Sequence, residues 1–489
     1  MADVAGHVRL ALATPSQFPA LTTTAKRSSY VVLQAWDTAK AAQLKAANPN
    51  VTVLMYQNAS AMAKGAGAGG VYSSGVGMEQ ADTAHPDWFL KDTSGKRITE
   101  GGYDWLYMAD VGNASYASTW AANVLARLNS GPWDGVFMDD VNTTAAYHTD
   151  PSKIAAYPND ASYQAATRAL LAIAGPRIRA AGKLAIANIG SWSENPTVAK
   201  DWLQFLDGGM DEMFVKWSAT PGVGYRPAID WKTQINAIQA AEAMGKRYLA
   251  VTQAGGDDTQ AQLYGWASVL MAANKTTAYL AGTNYNADPT WLPEYDAHIG
   301  DPAGAATALG NGAYTRKFSN GLVVVNPSGS TVKVAFGGAY SGSGLTNATS
   351  ATLAPDTALV LTKGDQATAG PILAPGDPTP VVDSPQPPSP SSGGTPPSPS
   401  SGGPTASAPV TQPAPPAAPK PVVTSTKKPV KKTTKKPATK STKKSTSTKS
   451  KAAAKARAAR LAKQRKKTKT THHAKAKTTK KVVAKANRR

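Results

Sequence analysis

Between Val8 and about Thr283, short apolar runs rich in β-branched residues alternate with stretches whose apolar positions recur every three or four residues. The short runs read as buried strands: Val8–Thr14, Tyr30–Trp36, Val51–Asn58, Gly135–Val141, Leu184–Gly190, Leu206–Glu212, Tyr248–Ala254 and Thr277–Gly282. The periodic stretches read as helices over Asp37–Ala47, Ser115–Leu128, Tyr163–Ala181, Thr197–Phe205, Trp231–Met244 and Thr259–Ala273. Gly182 and Gly245 fall where helix C-caps belong, each just before a strand. Eight near-continuous apolar strands separated by helices predict an α/β fold, a parallel (β/α)8 TIM barrel. A doubly wound open sheet is the rival, but it wants fewer strands and a phosphate loop after the first.

After Asp301-Pro302 the helical period stops. Tyr314–Phe318, Leu322–Asn326, Val332–Phe336, Ala351–Ala354 and Ala358–Thr362 alternate with Gly, Asn and Ser turns, and Asn320-Gly321 marks a tight hairpin. The expected organisation is a barrel over 1–302, a small antiparallel, β-sandwich-like domain over 303–363, a Pro/Ser/Gly linker over 364–424 and a Lys-rich disordered tail over 425–489.

Charge changes meaning once that division is made. The 489 residues carry a formal net charge of +22, yet residues 425–489 hold 26 Lys and Arg and no acidic residue, leaving −4 for the rest. The basic character therefore belongs to a tail, expected to bind an anionic polymer, a cell-envelope glycan or nucleic acid, through charge. The chain has no Cys, which removes disulfides, thiolate nucleophiles and Cys-ligated zinc. Its six His show no HExxH-type spacing, so neither a metal nor a cofactor is expected. No apolar run approaches the roughly 18 residues of a spanning helix. The Pro/Ser spacer favours a secreted or envelope-associated monomer, although Met1 leads almost directly into the first strand with no signal peptide visible.

Candidate chemistry collects at the C-terminal ends of the strands, where barrels of this kind build their sites. The fourth strand, Gly135–Val141, ends on Asp139-Asp140 and is followed by Asn142. Two charges closing an apolar strand are costly to bury without partners. On period-two alternation only one of them points to the axis; Asp139 is the choice, with Asp140 orienting a neighbour or the loop. The sixth strand brings Glu212, provided the Gly-rich run Leu206–Glu212 is the strand and not Phe214–Trp217. Polar and aromatic residues recur at the other mouths: Gln34, Trp36, Tyr56, Asn188, Gln253 and Tyr285, with Trp217 beyond the sixth strand. Together they read as a pocket for hydroxyl groups and sugar faces, Trp36, Tyr56 and Trp217 stacking, Asn188 and Gln253 hydrogen-bonding. A long insertion from about Ala59 to Asn113 carries His85, Trp88, Tyr103, Trp105 and Asp110 and is expected to be a lid or cleft wall. Its Gly65–Gly70 run matches GxGxxG but opens no helix, so it reads as a loop.

Trp133–Val141, Met108–Asn113 and His85–Phe89 resemble the barrels of hypothetical glycosyl hydrolase family 15, over about residues 7–362. A more distant similarity is to endo-α-1,4-polygalactosaminidases, whose catalytic Asp and Glu would fall on Asp139 and Glu212. The resemblance implies a glycoside hydrolase acting on a polysaccharide with paired carboxylates. A chitinase-type motif would need Asp at 137 and Glu at 141, where this chain has Phe137 and Val141. The alternative function is a carbohydrate-binding or surface-attached barrel that kept the cleft and lost the chemistry.

Overall fold

The computed structural model describes residues 5–11, 21–101, 103–282 and 290–364; Tyr285, the linker beyond Gly364 and the basic tail lie outside them. β1 (Gly6–Ala11), α1 (Leu21–Arg27), β2 (Tyr30–Gln34), α2 (Thr38–Ala47) and β3 (Thr52–Asn58) open the chain. The insertion follows, with β4 (Ala61–Ala63), α3 (Met78–Ala84), β5 (Thr99–Glu100) and β6 (Tyr103–Met108). Next come α4 (Ala114–Asn129), β7 (Gly135–Asp139), α5 (Asp160–Ala180), β8 (Leu184–Asn188), α6 (Pro196–Trp202) and β9 (Gly208–Asp211). α7 (Ala228–Ala243), β10 (Arg247–Thr252), α8 (Thr259–Leu270) and β11 (Thr277–Ala281) complete this part of the chain.

Eight of these strands close into a parallel barrel in the order β1-β11-β10-β9-β8-β7-β3-β2, so every barrel strand read from the sequence is present. Alternate residues fill the interior: Val32, Leu54, Phe137, Ile186, Met210 and Leu249 touch one another there. The residues between them, among them Val31, Val53, Val136 and Ala185, face the helices in a separate core. Both faces are dry, which is why the strands read as continuous apolar runs. Each such aliphatic side chain contributes about 1.5–3 kcal/mol on burial.

The ambiguous sixth strand resolves as β9, with Phe214–Trp217 in the loop after it. Its glycines answer to close approach: a Cβ on Gly208 would lie 2.5 Å from the Arg247 carbonyl oxygen, and one on Gly209 2.6 Å from the Trp192 ring. The insertion forms a three-stranded antiparallel sheet, β4-β6-β5, in which Ala61 pairs with Met108.

The C-terminal strands are β12 (Thr307–Ala308), β13 (Tyr314–Lys317), β14 (Gly321–Asn326), β15 (Val332–Gly342), β16 (Leu345–Leu353) and β17 (Thr357–Lys363). They hydrogen-bond into one antiparallel sheet, β12-β13-β14-β17-β15-β16. Leu322, Val324 and Leu361 join Val334 and Phe336 in a small core, while Val323, Val325 and Val360 on the other face join the barrel's helical core. Buried Arg316 fixes the junction by donating to the carbonyls of Leu270 and Ala273, both at 2.8 Å, at the end of α8. Those carbonyls have no partner within a helix, so the guanidinium completes the terminus.

Candidate active site

The strand that carries the central carboxylates is pinned at its start. Asp134 accepts from the Val53 amide at 2.7 Å and from Lys45 Nζ at 3.1 Å, holding β7 to β3 and α2. From there Phe137 and Asp139 share the inward face, and Ile186–Asn188 and Met210–Glu212 repeat the pattern on β8 and beyond β9. The side chains of Asp139, Asn188 and Glu212 consequently meet above the packed interior. Asn188 Nδ2 donates to Asp139 Oδ1 at 3.0 Å and to Glu212 Oε2 at 2.8 Å. Those two oxygens therefore cannot lie more than 5.8 Å apart. An amide whose two N–H bonds diverge by about 120° sets them about 5 Å apart.

The two carboxyls differ in their support. Asp139 also accepts from the Tyr56 hydroxyl at 2.6 Å. Burial pushes its carboxyl up, and the hydrogen bonds from Tyr56, Asn188 and the Asp140 amide pull it back toward the ionised form. Asn142, which follows on the chain, takes no part in this support and turns to His148 Nε2, 2.8 Å away. Among the described residues, Asn188 is the one donor to the Glu212 carboxylate. Burial and then the Asp139 charge push its carboxyl from 4.5 up to about 7. Both carboxyls are raised, but Asp139 has three donors that favour its ionised form, whereas Glu212 keeps a proton near neutral pH.

Asp140 serves differently. Its φ of 59° breaks the strand alternation immediately after Asp139. Its carboxylate accepts from Asn58 Nδ2 at 2.5 Å, and its carbonyl from Ser60 Oγ at 2.7 Å. Glu100 of β5 comes against it, so burial and the charges of Asp139 and Glu100 raise the Asp140 carboxyl well above its usual range. Glu100 and His148 were not singled out by sequence reading. Glu100 closes a two-residue strand and His148 follows in a loop, far along the chain from each other, and no spacing signal links them.

The remaining predicted residues divide. Gln34 is buried at the end of β2, where it pairs in register with Tyr56. Trp36 is half-buried, and the backbone of Gly67 lies on its ring: a Cβ there would come within 2.5 Å. One face of Trp36 is therefore already covered by the insertion loop. Trp217 is 53% exposed. Gln253 Nε2 donates to the Glu212 carbonyl at 2.9 Å, so it holds the backbone of the carboxylate's residue. Asp110 accepts from the Tyr157 hydroxyl and from the Gly112 amide, partners outside the carboxylate cluster. The loop after β9 has a further anchor that the sequence did not announce. Lys216 is fully buried and meets Asp258 at 3.3 Å and the Gln253 carbonyl at 3.1 Å, beside Val215 at φ 52°.

Comparison with known proteins finds a matching family model. The model of hypothetical glycosyl hydrolase family 15 matches residues 45–322, more than half of the chain. No curated protein sequence matches. Among solved structures, similarity extends to the glycoside hydrolase domain of PelA from Pseudomonas aeruginosa, with 16% identity and a TM-score of 0.39, over 57% of this chain and 95% of that one. It extends also to Aspergillus fumigatus Ega3 in complex with galactosamine, with 9% identity and a TM-score of 0.36, over 59% and 96%. The cyclic α-maltosyl-(1→6)-maltose hydrolase of Arthrobacter globiformis aligns over 73% and 98%, with 14% identity and a TM-score of 0.41.

Proposed function

Because the chain belongs to hypothetical glycosyl hydrolase family 15 and is a glycoside hydrolase, we propose that it cleaves a polysaccharide with retention of anomeric configuration. Asp139 is the nucleophile and Glu212 the acid and base. The observation that carries the reading is the single Asn188 amide donating to both carboxyls. Retaining glycosidases hold their carboxyl groups about 5–5.5 Å apart, whereas inverting ones need about 6.5–9.5 Å for a water. The 5.8 Å ceiling on the shared oxygens supports the former.

In the first step an Asp139 oxygen attacks the anomeric carbon, and the bond from that carbon to the glycosidic oxygen breaks. The Glu212 proton passes to the departing oxygen, leaving a glycosyl ester on Asp139. Glu212, now ionised, takes a proton from water, whose oxygen attacks the same carbon and displaces the Asp139 carboxylate. The hydrogen bonds from Tyr56 and Asn188 favour Asp139 both as an anion and as a leaving group. A Glu212 carboxyl raised to about 7 suits a group that gives a proton in one step and takes one in the next. Exposed Trp217 offers an aromatic face to a pyranose ring near the loop that carries Glu212.

A barrel that binds glycans without cleaving them would gain nothing from two carboxyls held on one amide. Reducing-end release from a panel of polysaccharides tests the reading: wild type releases ends from at least one, and Asp139→Asn and Glu212→Gln do not. Equal release by Asp139→Asn would remove Asp139 from the mechanism.

A further inference from the structure

We infer that Glu100, Asp140 and His148 form a site for one divalent transition-metal ion, of zinc or manganese type, beside the carboxylate pair. The three residues reach it from separate segments: the insertion, the end of the fourth barrel strand, and the loop that follows. One ligand atom from each lies within 4.8 Å of the others. A common ion about 2.0–2.4 Å from every ligand allows that span.

What marks the cluster as a receptor is the charge it leaves without an answer. Glu100 is 8% and His148 2% exposed, and Asp140 is half-buried, so water scarcely screens the Glu100 carboxylate. Glu100 Oε1 faces His148 Nδ1 at 3.6 Å, too far for a hydrogen bond, and among the described residues no N–H donor reaches the buried Glu100 Oε2, while the Glu100 carboxyl meets that of Asp140. An unpaired buried carboxylate oxygen is costly, and here it stands against a second carboxylate.

The supports around the cluster are those of a ligand sphere. Asn142 holds His148 at Nε2, which turns Nδ1 toward the carboxylates, and Asn58 donates to Asp140. A ligating imidazole normally has its far nitrogen held in this way. With Nδ1 on the ion, Nε2 carries the proton, and the Asn142 amide turns its oxygen to accept it. One imidazole and two carboxylates suit zinc or manganese, whereas magnesium and calcium favour all-oxygen sets. The ion offsets the charge of Glu100 and Asp140 next to Asp139 and fastens the insertion to the barrel mouth. It stands outside the two-carboxylate chemistry above, and its test does not depend on that chemistry.

The full chain, stripped with EDTA and dialysed, is titrated with Zn2+ and with Mn2+ by calorimetry while melting is followed in parallel. The expected result is one equivalent bound by the barrel and a rise of several degrees in Tm. Glu100→Gln and His148→Gln each weaken the affinity by about 10–100-fold. A His472→Ala/His473→Ala chain leaves the barrel untouched and retains the equivalent. Binding lost in that tail variant, or equal in wild type and Glu100→Gln, places the ion elsewhere and overturns the inference. Absence of both heat and Tm shift at millimolar metal overturns it too, since the three groups then share a proton instead.

Discussion

A carboxylic acid kept protonated for catalysis should cost stability, and Glu212 allows the cost to be measured. Its carboxyl is raised from 4.5 to about 7. A group whose folded value lies above its unfolded one holds its proton more tightly in the native state. Its penalty is therefore absent below about pH 4.5, grows as the pH rises through 7 and is complete above it. At 1.36 kcal/mol per pH unit the penalty approaches about 3 kcal/mol. Gln has nearly the same shape and no charge to lose. Glu212→Gln should match wild type in melting temperature at pH 4 and exceed it by roughly 5 °C at pH 8.5. Melting curves for both proteins at the two pH values decide this. A gap that is the same at both pH values, or a variant less stable at pH 8.5, would refute the reasoning. The same proton governs activity, so kcat/KM should fall about tenfold per unit above pH 7.

Other outcomes follow from single contacts. Tyr56→Phe removes the 2.6 Å hydrogen bond to Asp139 and should lower kcat/KM by about 10–100-fold, with the Tm little changed; steady-state kinetics on any cleaved polysaccharide measures it. Trp217→Ala should raise KM for long substrates with kcat and Tm nearly constant, because its ring is exposed; a Tm drop of ten degrees would mark the residue as structural. Truncation after Gly364 removes every residue of the 26-charge tail and should abolish salt-sensitive retention on an anionic column, leaving the melting curve unchanged.

The barrel was legible because its strands are dry on both faces, so Val31–Leu33, Val53–Met55 and Val136–Met138 stand out as unbroken apolar runs. β9 was the exception. Its signal is diluted by Gly208 and Gly209, which the close approach of Arg247 and Trp192 requires. Asp139, Asn188 and Glu212 could be named since each continues an inward-facing alternation to the end of its strand or, for Glu212, one residue past it. Two seven-residue helices, α1 and α3, were missed. The insertion's sheet was missed as well: β4 and β5 have three and two residues, and β6 opens on exposed Tyr103, Asp104 and Trp105. With that sheet went Glu100, and with the irregular loop after β7 went His148. Trp36 shows the converse limit, since its place at a strand end was readable but the Gly67 backbone lying over its ring was not.

The central claim is that Asp139 attacks the sugar while Glu212 supplies the proton, across a gap set by Asn188. The configuration of the first-formed product tests it most directly, followed by proton NMR of the anomeric signals during hydrolysis of a susceptible polysaccharide. The account predicts that the new reducing end appears first in the same anomeric form as the cleaved bond, and only later mutarotates. First appearance of the opposite anomer would contradict it, because a water would then have to fit between two carboxyls whose Asn188-bonded oxygens lie no more than 5.8 Å apart.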